Sequence, residues 1–152
     1  LFSIIGAWPV GWFANIGRIA YPADIQSIMA PASGTVVSIN NNEQDLVPRS
    51  ENFQSMAGNH IYLRVDETGT FLILAHLKKG SINVREGQHV NEGEFLAQVG
   101  NSGSSSEPHL HIHHQRQDPS KVSMFFAEGL PLYFRTENGV MMPERGTYTS
   151  GN

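Results

Sequence analysis

Short apolar runs, broken every few residues by glycine or proline, leave this chain little room for a helix. Fifteen glycines and eight prolines punctuate 152 residues. The runs between them, such as "GTVVSIN", "HIYLRV", "FLILAHL" and "FLAQVG", are rich in β-branched and aromatic residues. Apolar positions rarely recur at the helical spacing, and short runs bounded by turn formers read as strands. The expectation is an all-β fold of twisted antiparallel sheets. The length suits a single domain, able to bury roughly 70% of the unfolded chain's surface without a disulfide or metal.

The runs can be placed in order. "SIMAPASGTVVSIN" predicts two short strands around a turn at Pro31–Gly34, and residues 40–58, polar and containing Pro48, predict a long loop. Loops of that length inside a compact domain tend to be functional. "NHIYLRV" and "TFLILAHL", joined by "DETG", predict an antiparallel hairpin. "SINVREGQHVNEGEFLAQVG" predicts three short strands with turns at Glu86–Gly87 and Glu92–Gly93, and "SKVSMFFAEGLPLYF" a short helix and a last strand. Residues 136–152 read as a polar, poorly ordered tail.

At the other end, "LFSIIGAWPVGWFANI" is apolar but interrupted by Gly6, Pro9 and Gly11. It falls short of the ~20 residues of a spanning helix and lacks the basic start of a signal peptide. Since the first residue is Leu, residues 1–22 read as the remnant of a longer chain, with the main domain at 23–135.

Charge and composition narrow the chemistry. Ten Lys and Arg stand against 14 Asp and Glu, with a net charge of −4 and no basic block, so a nucleic-acid partner is not expected. Without cysteine there is neither a thiolate nucleophile nor a Cys-built zinc site. Ser102, Ser104, Ser105 and Ser106 lie near a histidine, but no G-x-S-x-G elbow is present.

The concentrated signal is "EPHLHIHHQ", which holds four of the seven histidines within six positions. On a strand, His109, His111 and His113 share one face, while Leu110, Ile112 and His114 point the other way. Imidazoles two residues apart stand roughly 7 Å apart at the backbone. Both can converge on one metal, or one can bind it while the other handles a proton. A solvated sheet face rich in imidazole fits the same pattern.

The wider sequence resembles a known family. "GNSGSSSEPHLHIH" resembles the G-N-S-G-x-S-x-x-P-H-L-H signature of the M23 (lysostaphin/LytM-type) zinc metallopeptidases. "APASGTVVSI", "GNHIYLRV" and "LAHLKKGSINVREGQHVNEGEFLAQVG" are similar to the family's other segments, in the same order, over about residues 28–115. "DPS" and "EGLPLYF" are similar to the tail of some Gram-negative members. The resemblance implies a LytM-type (duplicated hybrid motif) barrel-sandwich with a groove, and zinc as cofactor. It implies that His111 is a metal ligand and that His109 and His76 are catalytic, all three facing the groove. His60, His89, His113 and His114 match no catalytic position and are expected on the surface or a sheet face. It further implies hydrolysis of peptide bonds in peptidoglycan, a periplasmic or secreted place in the cell envelope, peptidoglycan peptides as partners, and an envelope protein as a possible further one.

One motif departs from the family. An H-x-x-x-D, which supplies two zinc ligands, should precede "IMAPASG", yet no histidine occurs before His60. Asn15 and Arg18 cannot replace it, and Asp24 is the one carboxylate in that region. Two expectations follow. Either the ligands lie upstream in a longer chain, the isolated 152 residues being inactive without them, or this is a non-catalytic LytM-type module that binds peptidoglycan or activates an amidase. "VREGQHVNEGEFLAQVG" also resembles lipoyl and biotinyl carrier domains, but Lys78 and Lys79 sit in no hairpin-tip sequence of that kind.

Overall fold

The computed structural model describes residues 17–19, 27–49, 53–136 and 139–142. Its centre is a six-stranded sheet in the order β1-β8-β5-β4-β3-β6. These strands are β1 (Gly17–Ile19), β3 (Gly34–Asn40), β4 (Asn59–Val65), β5 (Phe71–Leu77), β6 (His89–Val90) and β8 (Leu110–Gln115). All of its neighbours are antiparallel. A two-stranded sheet pairs β2 (Ser27–Met29) with β7 (Phe95–Gln98), and a hairpin pairs β9 (Phe134–Thr136) with β10 (Gly139–Met141). The fold is all-β, and among the described residues there is no helix.

The predicted hairpin forms β4 and β5, and its alternation builds the core. Ile61, Leu63 and Val65 on β4 and Leu72, Leu74 and Leu77 on β5 pack into the main cluster with Ile28, Val36, Val90, Leu96, Leu110 and Ile112. Each fully buried Leu or Ile contributes about 2 kcal/mol from apolar burial. The turn closes through Gly69, whose N–H donates to the Val65 carbonyl (2.8 Å) at a φ of 67° that favours glycine. On the opposite face of the same strands, Ile73 and Ala75 pack with Ala57, Tyr62 and Met124 in a smaller cluster.

Three local expectations are corrected. The helix predicted within residues 120–134 is a set of turns: Lys121 and Val122 N–H donate to the Asp118 carbonyl, and Phe126 and Ala127 N–H to that of Ser123. Each is an isolated nucleus that the short, punctuated segment cannot propagate. Three strands predicted over 81–99 are two, β6 and β7; residues 81–85 meet β7 through one backbone bond, from Asn83 N–H to the Leu96 carbonyl, and through the Ser81 hydroxyl, which accepts from Gln98 N–H (3.0 Å), and these make no ladder. His113 and His114, expected on a surface or sheet face, are 5% and 2% exposed, because strand-flanking segments cover both faces of β8 at its C-terminal end.

Of the loop predicted at 40–58, residues 41–49 and 53–58 lie between β3 and β4 and form no strand. Of the tail predicted over 136–152, Thr136 and Gly139–Met141 pair in the β9–β10 hairpin, while residues 137–138 and 143–152, like the apolar run over residues 1–16, lie outside the described residues.

Candidate metal and catalytic site

Strand β8 sorts its histidines by face. Leu110 (5% exposed) and Ile112 (3%) enter the core, as the alternation predicts. His114 turns to the same side and is satisfied there. Its Nδ1–H donates to the Pro131 carbonyl (2.9 Å), which leaves Nε2 to accept from the Thr70 hydroxyl (2.8 Å). Burial pushes its pKa down. His114 is a structural histidine. His111 lies on the other face, opposite Ala75 of β5.

His76 reaches that face by a device of the backbone. Strict alternation along β5 would turn His76 toward the core, beside Leu72 and Leu74. The ladder instead steps from Asn59↔Leu77 to Ile61↔Leu74, so β5 carries one more residue than β4 across this interval. That is a β-bulge, which re-aims a side chain. His76 takes the strain, with a φ of 62°, a left-handed conformation costing about 1–3 kcal/mol in a non-glycine residue. The surroundings hold it there. His76 N–H donates to the Ala57 carbonyl (2.9 Å), and Gly100 N–H donates to the His76 carbonyl (3.0 Å).

The result is a cluster of three imidazoles. The His76 ring lies 4.9 Å from that of His109 and 5.5 Å, edge-on, from that of His111, centroid to centroid. One ring nitrogen from each lies within 4.8 Å of the others. His76 Nδ1–H donates to the Ser102 carbonyl (2.9 Å), and His109 Nδ1–H to the Glu107 carbonyl (2.8 Å). Both carbonyls select the Nδ1–H tautomer, so Nε2 is the basic atom of each ring. His60 sits two strands away on β4, and His89 pairs with Asp66 on the surface (2.7 Å).

His111 carries the sign of a ligand position. Its Nε2 is buried and, like that of His113, has no hydrogen-bond partner among the described residues. Such an atom is costly unless something binds it. Burial, reinforced by His76, His113 and His109, holds the His111 pKa at about 4, so the ring is neutral at physiological pH, as a metal ligand must be. Neutral imidazole suits zinc among the divalent metals. With one ring nitrogen each, His76, His109 and His111 are a set that could hold a metal ion.

The same burial predicts acid sensitivity of the metal-free protein. Unfolded His111 takes up a proton as the pH falls through 6.5, while folded His111 resists until about 4. The unfolded state therefore binds more protons in that window, and stability falls with pH before levelling off below 4. His111 alone accounts for at most about 3 kcal/mol, reduced by its partial contact with solvent. His60, His113 and His114 are lowered too, chiefly by burial, and act in the same direction. Urea midpoints of chelator-treated protein should drop between pH 7.5 and 4.5; an unchanged midpoint would contradict the burial argument.

A buried polar network locks the cluster to the loops, and neither its partners nor the bulge were legible in the sequence. Asn59, fully buried, donates from Nδ2 to the carbonyls of Glu43 (2.8 Å) and Leu77 (3.0 Å) and accepts from Glu43 N–H (2.8 Å). Its own N–H donates to the Ser102 hydroxyl (2.9 Å), which donates to the Leu77 carbonyl (2.7 Å). Ser102 thus ties the bulge to the backbone carbonyl that orients His76. Asp45 completes the tie by accepting from the N–H groups of Asn101 (2.7 Å) and Lys79 (3.0 Å). The "GN" and "GNS" of the resemblance marked these residues without revealing that they join each other. Gly58 and Gly103 allow the join: a Cβ on Gly103 would lie 2.3 Å from the Gly58 nitrogen.

Strand β1 runs along the free edge of β8 and pairs Arg18 with His111. Asn15 and Asp24 lie outside the described residues.

Comparison with known proteins agrees with this architecture. The sequence pattern of peptidase family M23 matches residues 18–122. The chain belongs to peptidase family M23. Its fold is similar to that of lysostaphin, the antimicrobial peptidase from Staphylococcus simulans, at 20% identity and a TM-score of 0.55, over 84% of this chain and 47% of that one. It is also similar to the catalytic domain of a variant of the prophage-encoded M23 protein EnpA from Enterococcus faecalis: 21% identity, TM-score 0.52, 78% of this chain and 83% of that one. A third similar structure is LytU, at 23% identity and a TM-score of 0.55, over 84% and 77% of the two chains.

Proposed function

We propose that this chain is a zinc-dependent endopeptidase domain that hydrolyses peptide bonds in peptidoglycan, acting in the cell envelope, periplasmic or secreted. The observation that carries the reading is the convergence of His76, His109 and His111 within 4.8 Å in a chain of this family. His111 is the metal ligand and His76 and His109 are the catalytic residues. Zinc at His111 would supply Lewis-acid polarisation of the scissile carbonyl and a more acidic water.

The chain's own groups do the remaining work. With Nδ1–H fixed on a carbonyl, Nε2 of one histidine takes the proton of the attacking water and returns it to the leaving amine, a task suited to imidazole near neutrality. The other ring, protonated on both nitrogens as an imidazolium, donates from Nε2 to the oxygen that gains charge. The strained, doubly anchored backbone of His76 keeps its ring from swinging back to the core-facing position.

A second reading is a non-catalytic module that binds peptidoglycan or activates an amidase through an envelope protein partner. It is favoured by one observation, that residues 1–27 contain no H-x-x-x-D, the source in the resemblance of two of the three protein ligands a catalytic zinc needs. The deciding experiment measures bound zinc and cleavage of purified cross-linked muropeptides by the full gene product, with and without chelator. Stoichiometric zinc and chelator-sensitive cleavage establish the peptidase. Peptidoglycan binding without zinc or cleavage establishes the module.

A further inference from the structure

We infer that His60 and Tyr62 form a peptide-binding subsite on the site's face of the sheet, two strands from His111. The inference rests on the reading that the site acts on peptides, and it deepens that reading by naming the residues that hold the substrate away from the reacting bond.

Placement comes from register. Ile61 and Leu63 point into the core, so His60 and Tyr62 take the other face of β4. Tyr62 pairs with Ile73, which pairs with His113; one step along, Ala75 pairs with His111. Tyr62, Ile73 and Ala75 belong to one apolar cluster. Ile73 (0% exposed) and Ala75 (1%) are buried beneath this face, so what the pair shares with His111 is one side of the sheet, not an open apolar surface. Two strand spacings place the pair about 10 Å from His111, the reach of roughly three residues of extended peptide.

The chemistry of the pair is complementary to a peptide unit. The two rings stack, with centroids 4.3 Å apart and planes within 18°. His60 Nδ1–H donates to the Gly58 carbonyl (2.8 Å), so its Nε2 is an acceptor. The Tyr62 hydroxyl is a donor. Neither Nε2 nor that hydroxyl has a partner among the described residues, and both side chains are only half-buried. One rigid stack thus offers an acceptor for a peptide N–H and a donor for a peptide carbonyl. A plain outer sheet face would not need two aromatic rings stacked with both polar tips unspent.

The test uses Tyr62→Phe, which removes one half-exposed oxygen, and His60→Phe, which keeps the stack and removes the acceptor. Binding of a soluble cross-linked stem-peptide fragment is measured calorimetrically on chelator-treated protein, where turnover cannot interfere. Each variant should weaken Kd by about 5- to 10-fold, the loss of roughly one hydrogen bond. Zinc-loaded protein should show KM rising by a similar factor with kcat nearly unchanged, since contacts made equally in ground and transition states act on KM. Folding of both variants is checked by thermal melts. Unchanged Kd in folded variants overturns the subsite alone. Absence of any fragment binding to the parent protein overturns the subsite and the peptide-acting reading together.

Discussion

Replacing His111 by alanine should remove zinc and hydrolysis together. Its buried Nε2 has no hydrogen-bond partner among the described residues, and its low pKa keeps the ring unprotonated and ready to coordinate. Loss of an outer partner of a metal ligand costs about 10- to 100-fold in metal affinity, so loss of a ligand itself should cost more than about 100-fold. Activity at sub-micromolar zinc should fall at least about 1,000-fold. The metal-free variant, in contrast, should be no less acid-resistant than its parent, because the substitution deletes a buried ring that resists protonation. Zinc content by atomic absorption, alongside muropeptide cleavage by the full gene product, checks both halves. Retained stoichiometric zinc would refute the ligand role, and retained cleavage would refute the mechanism.

The second large effect is expected at His76 and His109, with the opposite metal signature. Substitution of either should cut kcat by about 100- to 10,000-fold, the usual range for general acid–base groups. Most of the zinc should stay bound. At His76 the choice of replacement separates chemistry from backbone strain. Alanine removes the ring and still sits at a φ of 62°. Asparagine tolerates that left-handed region better and keeps a polar side chain, but it cannot accept the proton. His76→Asn should therefore be at least as stable as His76→Ala and just as inactive. Recovery of activity in the asparagine variant would show that His76 serves the backbone rather than the reaction. Loss of zinc in His76→Ala or His109→Ala would make these rings ligands instead.

These predictions draw on two kinds of information. The sequence by itself determined the class of fold, because runs bounded by fifteen glycines and eight prolines can satisfy their backbone groups only by pairing as short strands. It also determined which side of β8 carries His109 and His111. Period-2 alternation separates His109 and His111 from Leu110 and Ile112 whatever the neighbouring strands do, and the last two do enter the core. The resemblance to M23 rested on the same local strings, and the match over residues 18–122 agrees with it.

Tertiary structure decided the rest. Alternation along "FLILAHL" assigns His76 to the core face. Only the one-residue mismatch between β4 and β5, absorbed as a left-handed backbone at His76, brings it beside His109 and His111. A bulge is a property of two strands in register, and a single run of letters cannot announce it. The same holds for Asn59 and Ser102, distant in sequence and joined by a 2.9 Å bond behind the site. It holds for His113 and His114 as well, whose burial depends on which segments come to rest over β8. Local chemistry chose the strands and their faces; long-range pairing chose which side chains meet.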